Sequence, residues 1–203
     1  MAEIIPIFPL DLVLFPGATL PLHIFEPRYK EMIGECLSQE KHFGIIRTVD
    51  ERVAQTGCTA KIVNVLKKYD DGRMNIMAEG IRRFEVEAIH EDRAFLQATV
   101  GFFDDESTRV SADDRRRALE LCRELLTLGN ASDSFLEEEH PQLSFQIAGP
   151  MPLELDLKQS LLAMRSESQR LNTLSEYFEE LLPRLYRALK ARGKAGGNGH
   201  AVN

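Results

Sequence analysis

Between residues 103 and 111 the apolar residues of this chain change their period, and that switch limits what it can fold into. Before it they come in short runs broken by turn residues; after it they recur every three or four positions. The first pattern is that of strands and the second that of helices, so a uniformly helical or uniformly stranded architecture is excluded. In the first stretch Ile4 to Phe8 and Val13 to Phe15 read as brief strands, closed by Pro9 and by Pro16, with Gly17 following the second. Between Phe15 and Pro27 the prolines confine an extended segment to a sheet edge or a crossing loop. Pro27 then opens a helix, with Glu26 just before it, whose stripe is Tyr29, Met32, Ile33, Cys36 and Leu37 and whose end is predicted near Ser38.

Phe43 to Ile46 and Thr59 to Leu66 read as further strands, and Asp70-Asp71-Gly72 as a hairpin turn. Met74, Ile76 and Ala78 alternate after it, then Phe84, Val86 and Ala88, and Phe95 to Val100 follows a polar turn at His90 to Arg93. About six short strands and little repetition predict a small irregular β-barrel over 1–106, one side of it covered by the early helix.

Ser111 is placed to cap a helix whose core face is Ala118, Leu121, Cys122, Leu125 and Leu128, stopped by Gly129-Asn130. Leu143 to Ala148, halted by Gly149-Pro150, and Leu157 to Met164 read as shorter helices. Ser166 to Gln169 cap the last helix, with Leu171, Leu174, Phe178, Leu181, Leu185 and Leu189 as its stripe. That stripe is expected to pack within its own bundle, and Pro183 inside it predicts a kink or a restart. The fold class is therefore α+β: a β-barrel subdomain over 1–106, an α-helical bundle over 107–192 and a flexible Gly-rich tail over 193–203.

Charge narrows the function classes. The chain carries 25 Lys and Arg against 32 Asp and Glu, a net −7. Residues 1–110 hold 13 basic and 18 acidic groups, and residues 111–192 hold 11 and 14, so neither half has the positive footprint of a nucleic-acid binder. Arg82-Arg83 and Arg115-Arg116-Arg117 read as solvated faces. Cys36, Cys58 and Cys122 are far apart and suit a reducing compartment as buried apolar residues. The first residues have no basic n-region, and no apolar run approaches the roughly 20 residues of a membrane span. A cytoplasmic protein with no membrane partner is expected.

Catalytic constellations are sparse. There is no G-x-S-x-G elbow, and His90-Glu91 has Ala94 where the second ligand of an H-E-x-x-H site would stand. Histidines 23, 42, 90, 140 and 200 are scattered and do not pair with cysteines at metal spacing. Cys36 or Cys58 with His23 or His42 is the best enzymatic pairing, but buried structural cysteine is the reading preferred. No catalytic residue, cofactor or metal is expected.

Several ordered motifs carry a family likeness. Phe8-Pro9-Leu10, Val13-Leu14-Phe15-Pro16-Gly17 and Leu20-Pro21-Leu22-His23-Ile24-Phe25-Glu26-Pro27-Arg28-Tyr29 come first, then Gly57-Cys58-Thr59-Ala60, Asp71-Gly72-Arg73, Gly80-Ile81-Arg82-Arg83-Phe84, Leu161-Leu162 and Arg170-Leu171. Over about residues 3–190 the chain resembles the LON domain, the N-terminal substrate-binding domain of the ATP-dependent protease Lon. The resemblance implies a PUA-like β-barrel followed by an α-helical bundle. It also implies a protein-interaction module for unfolded or extended polypeptide, bound by apolar contacts and by strand addition at an exposed edge, with a separate protease or chaperone as a further partner. No phosphate-cradling loop accompanies it, Gly193-Lys194 being followed by Ala195, and the setting of the Lon protease's nucleophilic serine is missing. A peptidase label is thus expected to reflect homology and not activity. A small-molecule site or an enzyme in a cleft between barrel and bundle is the alternative, and RNA binding stands behind it because of the acidic charge.

Phe15 to Tyr29 is the most unusual segment. It reads either as a rigid crossing strand whose aromatic residues fill the barrel, Glu26 and Arg28 bonding locally, or as a groove wall. The candidate peptide-binding residues are Phe15, Pro16, His23, Phe25 and Tyr29.

Overall fold

A computed structural model describes residues 2–50, 52–106 and 110–196 of the chain. Among the described residues six strands and five helices follow in the order β1 (Glu3–Leu10), β2 (Thr19–Ile24), α1 (Pro27–Gln39), β3 (Phe43–Val49), β4 (Arg52–Lys68), β5 (Met74–His90), β6 (Gln97–Phe102), α2 (Ala112–Leu128), α3 (Leu143–Ala148), α4 (Leu155–Ala163) and α5 (Glu167–Gly196). Contacts divide the chain into two compact units: 1–106 with 145–165, and 107–144 with 166–203.

In the first unit the strand order is β2-β5-β4-β3-β1-β6, and β6 also pairs with β5. The ladders therefore close on themselves through β5, β4, β3, β1 and β6, leaving β2 outside the circuit, paired with β5 alone. Closure removes the open edges that a flat sheet would present. Inside it Ile5, Ile7, Ile46, Phe84, Ala98 and Val100 form one buried cluster. The Phe84 ring lies so close to Gly44 and Gly57 that a Cβ there would meet it at 2.8 and 2.4 Å, so these glycines make room for it. On another side α1 buries Tyr29, Met32, Ile33 and Cys36, the spacing read from the sequence, with Tyr29 stacked on Phe8 at 4.1 Å between ring centres.

Several strand limits differ from the expectation. Pro9 does not close β1: residues 3–6 pair antiparallel with β6 and residues 7–10 parallel with β3. Past Ile7, whose N–H still reaches the Leu96 carbonyl at 2.8 Å, β1 is laddered on one side only, the circumstance in which a strand tolerates proline. Val13 to Phe15 form no strand; Leu14 and Phe15 are buried in an irregular crossing, with the Phe15 carbonyl accepting from Ala18 N–H at 3.1 Å. The alternating runs on either side of Gly80 belong to one 17-residue strand, and β4 is equally long, beginning at Arg52. Register shifts in β4 at Cys58/Ala60, Ile62/Asn64 and Val65/Lys67 break its period, which is why only its middle looked like a strand.

Arg83 corrects the reading of Arg82-Arg83 as a solvated face. Arg82 is half-exposed and paired with Asp104, whereas Arg83 is 2% exposed. Arg83 donates to the Leu162 carbonyl at 3.1 Å, to the Met164 carbonyl and to the Asp105 carboxylate, and its guanidinium lies 4.6 and 5.3 Å from the Phe103 and Phe145 ring centres. The chain returns at 145–165 to supply two of those acceptors.

In the second unit Ser111 caps α2, accepting from Asp113 and Asp114 N–H, and α2 packs against α5. The buried stripes are offset from those expected: Leu119 with Ala118 and Cys122 on α2, and Leu182 with Leu171, Leu174 and Phe178 on α5, where Leu189 is exposed. The helix is continuous through Pro183, so no restart occurs. Glu167 and Arg170 are buried as a pair, and Glu167 also accepts from the Ser144 N–H and hydroxyl at 2.8 and 2.6 Å. Arg115 donates to the Glu138 and His140 carbonyls and Arg117 grips Glu179, while Arg116 keeps an exposed face. Residues 197–203 of the expected tail lie outside the described residues.

Candidate peptide-binding edge

The segment after Phe15 reaches the surface by a turn at Pro16-Gly17, with Gly17 at φ 76°, a conformation glycine adopts without strain. Gly17 N–H then donates to the Gly80 carbonyl at 2.8 Å, and Gly80 N–H to the Ala18 carbonyl at 2.9 Å. Hydrogen-bonded and non-bonded positions alternate along an antiparallel pair. Carried on from Ala18, that alternation turns the main-chain groups of Leu20, Leu22 and Ile24 towards β5 and those of Thr19, Pro21 and His23 to the open edge. Pro21 has no N–H, so the edge offers donors at Thr19 and His23 and a gap between them.

The side chains of β2 alternate in the same way: Ile24 is buried, while Thr19, Pro21 and His23 are exposed. His23 pairs across to Asn75, which pairs in turn with Lys67, so the three share a face. His23 Nδ1 lies 2.6 Å from Asn75 Oδ1, and Asn75 Nδ2 reaches the Tyr69 hydroxyl at 3.5 Å. With Oδ1 able only to accept, Nδ1 carries the ring proton and Nε2 is left as an acceptor in the neutral ring, an assignment made from the partners. The His23 ring stacks with Phe25 at 5.7 Å and meets Tyr69 edge-on at 6.2 Å. Lys67 and Arg73 lie over Tyr69 at 4.6 and 5.0 Å. Phe25 is 57% exposed and Leu66 54%, beside a shallow cleft of about 360 Å³ lined by Pro21, Leu22, His23, Leu66, Asn75 and Ile76. Open aromatic surface with a cationic rim suits contact with apolar side chains and main-chain carbonyls.

Of the five residues singled out in the sequence, the fold brings His23 and Phe25 together on this surface. Phe15 is buried and stacks on Phe145 at 5.0 Å; Tyr29 is buried too, and that burial raises its hydroxyl above the ordinary tyrosine range. Pro16 is half-buried in the turn, and Arg28 donates to Glu26 at 2.9 Å, the local bond expected. Phe15, Pro16 and Tyr29 thus act as scaffold. Leu66, Tyr69 and Asn75 were missed: they meet His23 only through a register that passes β4's irregularities, and the one hint was Tyr69 standing just before the Asp70–Gly72 turn.

The other chemical candidates have structural roles. His90 Nε2 is bonded to Thr99 Oγ1 at 2.7 Å, and among the described residues no group of three or more His, Cys, Asp or Glu side chains is arranged to hold a metal. All three cysteines are buried, and burial pushes the thiols up to about 11 for Cys36, about 12 for Cys58 and about 11 for Cys122. The thiolate is the nucleophile, so these groups are inert at neutral pH. Because the folded values lie above the unfolded one, the folded chain holds these protons more tightly. That contribution is complete below the ordinary thiol value and is lost as pH climbs through about 11 to about 12. The expected result is a urea midpoint that falls progressively in that alkaline range, with no thiol labelled by a disulfide reagent at pH 8 before unfolding; rapid labelling of folded protein would contradict the burial.

The profile described as "ATP-dependent protease La (LON) substrate-binding domain" matches residues 4–180. A Lon protease of Parabacteroides distasonis is 32% identical over 124 residues, 57% of this chain and 15% of that protein. One from Flavobacterium johnsoniae is 23% identical over 201 residues, 89% of this chain and 24% of that protein. The chain therefore spans less than a quarter of the length of these curated relatives. Among solved structures, a Lon N-terminal domain protein from Xanthomonas campestris is similar at a TM-score of 0.70 and 26% identity, covering 85% of this chain and 96% of that one. The N-terminal domain of Mycobacterium avium complex Lon protease shares the fold at a TM-score of 0.67 and 18% identity, covering 87% and 98%. No helix among the described residues is long and apolar enough to cross a membrane.

Proposed function

Because the chain belongs to the LON substrate-binding domain family, we propose that it is a non-catalytic recognition module that holds unfolded or extended polypeptide on the open edge and outer face of β2. In this reading the closed strand circuit is a PUA-like β-barrel and the second unit an α-helical bundle. A separate protease or chaperone receives what the module holds. The observation that carries the proposal is the exposed stack of His23, on the strand left outside the circuit, with Phe25 just past the end of that strand. An incoming strand finds main-chain partners at Thr19 and His23 and an aromatic surface for its side chains, the two ingredients of strand addition. The net charge of −7 favours polypeptide over RNA as the ligand.

Titration with a panel of unstructured peptides tests this. Binding is expected to be weak, and replacing both His23 and Phe25 by alanine is expected to weaken it by about tenfold or more, at the lower end of what losing an interface anchor costs. Both side chains are exposed, so the thermal midpoint should be unmoved. Absence of binding up to the millimolar range, with the fold intact, would overturn the proposal.

A further inference from the structure

Past Ala60, which lies opposite Phe43, strand β4 has no further β3 partner among the described residues, and its residues 61–68 pair with β5 alone. The same stretch of β5, residues 74–79, carries β2 on its other side. The three strands β2, β5 and β4 thus continue beyond the circuit as a sheet with two open edges, β2 on one side and residues 61–68 on the other. An open edge is a template for any strand that meets it. These two differ in the property that strand addition depends on, the spacing of their outward main-chain groups.

Gly80 sets the phase of both. Its N–H donates to the Ala18 carbonyl and its own carbonyl accepts from Gly17 N–H, so its main-chain groups face the β2 side. By the alternation of an antiparallel ladder, those of Ala78, Ile76 and Met74 face β2 as well, and those of Glu79, Met77 and Asn75 face β4. The β4 partners of Ala78, Ile76 and Met74 are Ile62, Val65 and Lys68, and these three turn their main-chain groups to the open edge. They stand three residues apart, because Val63 and Leu66 are extra residues in two bulges. On β2 the outward groups, at Thr19, Pro21 and His23, keep the ordinary spacing of two. Lys61, Lys67 and Lys68 are also exposed along the bulged edge, and lysine is a second device that keeps strands off an edge.

We propose that the two bulges close the 61–68 edge of β4 to strand addition, so that extended polypeptide is taken up by β2 alone, one strand to each chain. An incoming strand repeats its bonding groups every two residues, roughly 6.7 Å. Bonded at Ile62, it falls out of step by Val65 and cannot recover at Lys68. The bulge at Leu66 also serves the other edge, since it turns an exposed apolar side chain into the cleft that His23 and Pro21 line. This rests on the reading that β2 accepts a strand. A module open on both edges would join two clients into a growing sheet, whereas one with a single usable edge holds a client without templating the next.

The test uses the full chain, the unstructured peptides of the panel above and backbone nuclear magnetic resonance. Saturating peptide is expected to shift the amides of Thr19 and His23, to leave those of Ile62, Val65 and Lys68 unmoved, and to bind at one equivalent. Deleting Val63 and Leu66 leaves every other residue of this stretch opposite its present β5 partner and restores the spacing of two. That variant is expected to take up a second equivalent of peptide and, without peptide, to gain mass in sedimentation by pairing edge to edge. Deletion of Leu66 alone is the milder change, with the same expected direction, should the double deletion not fold. Peptide shifts at Ile62, Val65 and Lys68 in the unaltered chain overturn the closed edge and leave the β2 reading standing. A folded deletion variant that still binds one equivalent and keeps its mass overturns the role of the bulges. Absence of shifts at either edge overturns the β2 reading; the mass of the deletion variants then decides the closed edge, a gain supporting it and no change overturning it.

Discussion

Replacing Arg83 by alanine is expected to cost the first unit about 3–5 kcal/mol, because it strips one member from a buried, fully engaged ion pair. The Asp105 carboxylate would lose its counter-charge, the Leu162 and Met164 carbonyls would lose a donor, and Phe103 and Phe145 would face a void where the guanidinium lay. The neighbouring substitution Arg82→Ala is the control. Arg82 pairs with Asp104 at the surface, with side-chain exposures of 48% and 71%, so its loss is expected to cost under about 1 kcal/mol. Urea unfolding monitored by amide exchange in β5 and α4 measures both. A difference of less than about 1 kcal/mol between two adjacent arginines would refute the role assigned to Arg83.

Gly80→Ala is expected to be similarly damaging for a different reason. A Cβ there would lie 2.2 Å from the Phe15 carbonyl oxygen and 2.9 Å from its carbon, both backbone atoms held by the crossing segment. Overpacking against backbone cannot be relieved by a rotamer change, and a cost of about 3 kcal/mol is expected. The displaced stretch is the one that docks β2 through Gly17 and Ala18, so amide exchange along β2 should accelerate and peptide affinity should drop with it. Gly34→Ala supplies the contrast: a Cβ at that helical position meets nothing within 4 Å, and alanine there should stabilise α1 by about 0.5–1 kcal/mol. Wild-type stability in Gly80→Ala would remove the close approach from the account.

Local chemistry made much of this fold legible. The i, i+3, i+4 stripe of α1, the Ser111 cap, the limits of α3 and the Asp70–Gly72 turn were all present in the residue order, because each depends on neighbours within a few positions. The failures came where distant partners decide. Pro9 stays in a strand because β1 changes partner beneath it, and β4 hides its length behind three register shifts. Arg83 looked like one of a surface pair because its acceptors lie some 80 positions away. The candidate site divided in the same way. His23 and Phe25 could be picked from a proline-rich segment, but the side chains that surround His23 come from the far end of a hairpin.

The return of residues 145–165 to the first unit sets an order of events during synthesis. A nascent chain that has emerged only to residue 106 holds all six strands, but Arg83 has neither of its carbonyl acceptors at 162 and 164 and Phe15 lacks Phe145. The strand circuit must therefore wait, incompletely buttressed, while the second unit's α2 is translated, and it can be locked only after residue 165 has left the ribosome. Under the function proposed above, the module thus passes through an interval in which it resembles the unfolded chains it is proposed to hold.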